Sequence, residues 1–109
     1  MRDSNWVEAC MVDDLQEGDV TATRCMNGTV VALYLVGDEV FATASMCTHG
    51  AAQMSDGFLE GYEIECPLHQ GRFDVRTGKA LNAPLEADIK TYLTKIVDRK
   101  IFVFLDSFE

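Results

Sequence analysis

Short apolar stretches rich in Val, Ile, Phe, Tyr and Thr alternate with turn residues at regular intervals along the chain. That rhythm predicts an all-β sandwich or barrel, and no segment sustains a helical period. Val20–Met26 and Thr29–Val36 flank Asn27-Gly28 and predict a hairpin, with a type I′ turn in which both central residues take positive φ. Gly37-Asp38 leads on to a strand over Glu39–Ala44. Glu60-Gly61, Thr77-Gly78 and the corner at Asp98–Lys100 separate further candidate strands, and the last pair is Lys90–Val97 with Ile101–Leu105. Trp6 falls on the first strand and is expected to pack in the core or at a sheet edge. The acidic stretch from Asp13 to Asp19 has room for one helical turn but reads as a solvated loop.

At 109 residues the chain is expected to form one small domain spanning 1–109. Its 48% hydrophobic and 25% charged content is globular rather than disordered. Eighteen acidic against nine basic residues give a formal charge of −9, which makes nucleic acid and anionic membranes poor partners. The longest apolar run, Val30–Val36, is far shorter than the roughly 20 residues of a membrane span. The first residues carry no apolar targeting segment, so the cytoplasm is the expected compartment.

The chemistry is concentrated between Ser45 and Pro84, a stretch dense in Gly, Cys, His and Pro. Cys10, Cys25, Cys47 and Cys66 would stay reduced in the cytoplasm, which favours metal ligation over a disulfide framework. Both histidines lie beside cysteines, in Cys47-Thr48-His49 and Cys66-Pro67-Leu68-His69, with sixteen residues between the pairs. Three readings compete at this point. The pairs are a coincidence of core cysteines and surface histidines, a closed tetrahedral zinc site, or a Rieske centre in which two histidines replace two cysteines on one iron of a [2Fe–2S] cluster.

Cys47-Thr48-His49-Gly50, Cys66-Pro67-Leu68-His69-Gln70-Gly71-Arg72-Phe73-Asp74, Thr77-Gly78-Lys79-Ala80 and Pro84 resemble the two cluster loops and covering proline loop of Rieske ferredoxins. The likeness runs from Trp6 to Leu105. It is nearest to ferredoxins of bacterial aromatic-ring dioxygenases, the naphthalene and salicylate oxygenase group. The resemblance implies a Rieske fold of stacked antiparallel β-sheets, with 45–84 as a cluster-binding subdomain at one end. It implies one [2Fe–2S] cluster, bound through sulfur by Cys47 and Cys66 and through Nδ1 by His49 and His69. It also implies a monomeric one-electron carrier between an FAD-containing, NADH-dependent ferredoxin reductase and a terminal Rieske oxygenase. No catalytic site of its own is expected, because no histidine is left over for a separate non-haem iron.

In that ligand set, two ferric ions balance two sulfides and two thiolates, so the oxidised centre is neutral and the reduced one carries a single negative charge. An all-cysteine centre would be two units more negative in either state, consistent with Rieske potentials of about −150 to +300 mV against about −400 mV. High-potential Rieske proteins add a disulfide between the loops and hydroxyl donors to sulfur. Here Leu68, Gly71 and Phe73 stand at those positions, so a potential near the low end is expected. The exposed edges of His49 and His69 are the expected electron exit, and the small or apolar residues around them (Gly50, Ala51, Ala52, Leu68, Gln70, Pro84) the expected docking tip. Among the remaining residues, Cys10 and Cys25 are expected to be inert thiols, and Met46 and Met54 to pack on the cluster side. Phe73 is expected beneath the second loop, and Arg72, Arg76 and Lys79 are read as solvated hairpin charges.

Overall fold

A computed structural model describes residues 5–47, 52–67, 71–82 and 87–105. Among the described residues, ten strands form three antiparallel sheets and no α-helix occurs. The terminal sheet joins β1 (Trp6–Met11), β10 (Lys100–Phe104) and β9 (Thr94–Val97) in that order. The central sheet orders β2 (Asp19–Arg24), β3 (Val30–Val36), β4 (Glu39–Ala44) and β8 (Thr91–Tyr92). The small sheet is a meander of β5 (Phe58–Glu60), β6 (Glu63–Glu65) and β7 (Arg72–Asp74). None of the described helical turns is long and apolar enough to cross a membrane.

Strand β3 explains the longest apolar run. Successive side chains point to opposite faces, and both faces of this strand are covered. Val31, Leu33 and Leu35 join Ile101 and Val103 in a core beneath the terminal sheet. Ala32 and Tyr34 enter a second core with Met54, Ile64, Phe73 and Val75, towards the small sheet. Trp6 meets Phe104 edge to face at 5.2 Å between ring centroids, on the terminal sheet. Cys25 is buried and Cys10 half-buried, and burial pushes both thiols up from their ordinary pKa.

The turn at Asn27-Gly28 departs in type from the sequence expectation, whereas the corner at Asp98 is where it was expected. Gly28 N–H donates to Cys25 C=O at 2.8 Å, and Cys25 N–H donates to Thr29 C=O at 2.7 Å, so the connection holds three residues. Only Gly28 takes positive φ (95°), while the Asn27 side chain accepts from Thr29 N–H at 3.0 Å. This is the three-residue hairpin loop with glycine at its left-handed position, not a type I′ turn. The two-residue turn with both φ values positive is instead at Asp98 (54°) and Arg99 (67°). The acidic loop opens with a 3-10 turn over Val12–Asp14, pinned where the Asp14 carboxylate accepts from Met11 N–H at 3.1 Å.

Candidate metal centre

Cys47 leaves the end of β4, and Cys66 leaves the end of β6. Each cysteine is tied across the base of its segment by a backbone bond. Cys47 N–H donates to Ala52 C=O at 2.8 Å, and Cys66 N–H donates to Gly71 C=O at 2.7 Å. The two bonds close segments of the same length and fix both ends of the stretches that contain His49 and His69. A Met46–Gln53 bridge and a 2.8 Å bond from Met54 N–H to Ser45 C=O extend the first closure outward. The Glu65–Arg72 pair of β6 and β7 extends the second.

Both sulfurs lie in one apolar core, Cys47 at 5% and Cys66 at 0% exposure, with Met54, Ile64 and Phe73 around them. None of the four cysteines is joined in a disulfide. A buried pair of this kind fits thiolate ligation to iron, where the metal neutralises charge that burial would otherwise penalise. His49 and His69 lie outside the described residues, as do Gly50, Ala51, Leu68, Gln70 and Pro84. Among the described residues, therefore, no group of three or more metal-ligating side chains is assembled. Phe73 is wholly buried in the cysteine core. Met54 shares that core, whereas Met46 is 42% exposed and its sulfur accepts from Gln53 Nε2 at 3.0 Å. Met46 lies beyond the end of β4, on an isolated bridge to Gln53.

Gly57 belongs to the second cysteine's support. A Cβ there would overlap the carbonyl oxygen of Glu65, the residue before Cys66. Close backbone approach, not positive φ, requires glycine at this position.

The arginines are not simply solvated. Arg72 Nη1 pairs with Glu60 and Glu63 at 3.2 Å each, and Nη2 pairs with Glu65 at 3.0 Å. Arg76 makes two side-chain bonds to Asp74, at 3.1 and 2.9 Å, and its guanidinium stacks 4.2 Å from the Tyr62 ring centroid. Tyr62 meets Phe41 edge to face at 5.8 Å and donates its hydroxyl to Glu39 at 3.0 Å, fastening the small sheet to the central one. The Arg76 hydrogen bond holds the Asp74 carboxyl below the usual carboxylate range, and the Glu39 bond raises the Tyr62 hydroxyl. Sequence reading missed these partners, because Glu60, Glu63, Glu65 and Arg72 fall on one face only once the two strand registers are set.

The chain matches the family described as the Rieske [2Fe-2S] domain over residues 5–93. It is 58% identical over 102 residues to the ferredoxin component of the naphthalene 1,2-dioxygenase/salicylate 5-hydroxylase systems of Ralstonia sp., covering 94% of this chain and 97% of that one. Among solved structures it resembles the Sphingomonas yanoikuyae B1 ferredoxin, with a TM-score of 0.85, 38% identity and coverage of 93% and 99%. It also resembles a chain from the complex of reduced oxygenase and oxidised ferredoxin in carbazole 1,9a-dioxygenase, with a TM-score of 0.84, 32% identity and 94% of each chain covered. Buried paired cysteines, three antiparallel sheets and these similarities converge: the chain belongs to the Rieske [2Fe–2S] family, among the ferredoxins of aromatic-ring dioxygenase systems.

Proposed function

We propose that Cys47 and Cys66 hold the inner iron, and His49 and His69 the outer iron, of the single Rieske cluster through which this ferredoxin carries electrons. The observation that carries this ligand set is the pair of matched backbone closures, Cys47 to Ala52 and Cys66 to Gly71, each enclosing one histidine. When bound, the cluster supplies a one-electron redox couple. The protein's own contribution is to bury both sulfurs, to fix the four ends of the two ligand segments, and to pack Phe73 beneath them without a hydroxyl donor. That last feature supports a potential near the low end of the Rieske range.

The electron donor in this reading is an FAD-containing, NADH-dependent reductase and the acceptor is a terminal aromatic-ring-hydroxylating oxygenase. The likeness to the ferredoxin of the carbazole dioxygenase complex supports an oxygenase partner for this chain. The ferredoxin acts as a cytoplasmic monomer whose single domain, 1–109, carries its cluster-binding subdomain at 45–84. A formal charge of −9 steers it towards basic docking faces, so turnover should slow as salt rises.

The test is electron paramagnetic resonance of the purified chain after one-electron reduction. A brown protein with an anisotropic signal supports the ligand set when His69→Ala and Cys66→Ser each abolish colour and signal. Retention of both in either variant, or a colourless protein containing zinc, overturns it. A midpoint above about +100 mV, high in the family range, overturns the low-potential reading.

A further inference from the structure

We propose that Arg72 is the positioning residue of the second cluster segment, a single side chain that locks both stems of that segment and restrains the carboxylate next to Cys66. This inference rests on the ligand set proposed above.

Arg72 immediately follows Gly71, whose carbonyl accepts from Cys66 N–H. Its cross-strand partner is Glu65, which immediately precedes Cys66. The Arg72–Glu65 ion pair therefore braces the stems on the outer face, one step below the backbone closure. The same guanidinium reaches Glu60 and Glu63, so β5, β6 and β7 are joined through one residue. Arg72 also holds the segment leading towards Pro84. Its N–H donates to Asn82 Oδ1 at 2.8 Å, and its C=O accepts from Leu81 N–H at 2.8 Å. Lone surface ion pairs contribute little because water and side-chain entropy compete. This one differs in geometry: a planar fork engages three carboxylates at once, and Glu65 keeps only 23% of its side chain exposed.

Charge gives the arrangement a redox consequence. Three carboxylates against one guanidinium leave this face two units negative, and loss of Arg72 leaves it three units negative. Since reduction adds a negative charge nearby, Arg72→Met should lower the reduced-to-oxidised ratio at a fixed applied potential about threefold. On the one-electron scale, where tenfold is 59 mV, that is a fall of about 28 mV. Glu65→Gln should shift the ratio the opposite way. Arg72→Lys keeps the charge but cannot grip three carboxylates, so it should recover the potential while broadening the resonance line shape.

Potentiometric titration followed by electron paramagnetic resonance reads all three variants against the wild-type chain. Opposite shifts in Arg72→Met and Glu65→Gln, with the potential recovered in Arg72→Lys, support the proposal. A lower melting temperature with unchanged potential and line shape in all three overturns it. Should Arg72→Met fail to take up iron, Glu65→Gln decides: a raised potential supports the proposal and an unchanged one overturns it. A wild-type chain lacking the Rieske signal would instead remove the ligand set itself, so the two failures are distinguishable.

Discussion

Tyr34 donates its hydroxyl hydrogen to Thr43 Oγ1 across 2.8 Å, and both residues are wholly buried. The direction follows from the next bond: Thr43 spends its one hydrogen on Ala44 C=O at 2.9 Å and can only accept from Tyr34. Tyr34 shares its core with Cys47 and Cys66, and burial raises its pKa strongly, so it stays protonated. The two ends of this bond should therefore differ in cost. Tyr34→Phe removes a donor and should cost about 1 kcal/mol, whereas Thr43→Val strands a buried hydroxyl and should cost roughly 1–3 kcal/mol. Urea denaturation of both variants checks the order, and a larger loss in Tyr34→Phe would contradict the assigned direction.

Asp74 gives the protein an acid limb. Its native pKa is depressed, chiefly by the Arg76 hydrogen bond, so deprotonated Asp74 favours the folded state. The contribution is complete above the unfolded carboxyl's titration near pH 4, and it drains away as pH falls through the lower native value. Asp74→Asn should flatten the stability curve below about pH 4 and leave its shape above pH 6 unchanged. Thermal melts across pH 2.5–7 make the comparison, with an unaltered acid limb counting against the assignment.

Gly57→Ala tests the support beneath Cys66. The new methyl would meet the Glu65 carbonyl oxygen, a backbone atom that cannot swing aside. Overpacking of this kind costs typically 1–3 kcal/mol, and here the displaced atom belongs to the residue before Cys66, a proposed ligand. Iron content per chain should fall along with the melting temperature. Full iron content at wild-type stability would mean that β6 yields without strain.

The Asp98–Arg99 corner stores backbone strain in two residues that carry Cβ atoms at positive φ. Asp98→Asn, which suits the first position of a type I′ turn, should raise stability by up to about 0.5 kcal/mol. Asp98→Val should lower it by roughly 1–2 kcal/mol, since a β-branched side chain tolerates that region poorly. Urea midpoints at unchanged slope are the measure, and equal midpoints for the two variants would argue against a strained corner. Arg99 is kept in both variants because it pairs with Asp13 and its carbonyl accepts from Val12 N–H at 2.8 Å.

The same two corners show how far sequence reading reaches. Asn27-Gly28 signals a turn, and a turn is there. Its type was settled by the Asn27 side chain accepting from Thr29 N–H, an option that a dipeptide rule does not weigh. Asp98–Arg99 carries no glycine, yet β9 and β10 pair on either side and leave only two residues to turn in. The Cys-x-His and Cys-x-x-His pairs were legible as a motif because their spacing is local, and the structure adds that Cys47 and Cys66 share one core. The partners of Arg72 were not, because Glu60, Glu63 and Glu65 come together only through two strand registers. His49 and His69 were legible as residues, but they lie outside the described part of the structure.

Leu33 and Tyr34 are neighbours in sequence but belong to different interiors. One ply of backbone thus divides the chemical end of the molecule from its foundation. A change at Leu35, wholly within the foundation, presses on the wall against which the buried Cys47 and Cys66 rest. Adaptation to a new redox partner is therefore hemmed in from below: whatever changes on the cysteine side, β3 must accommodate on both sides at once.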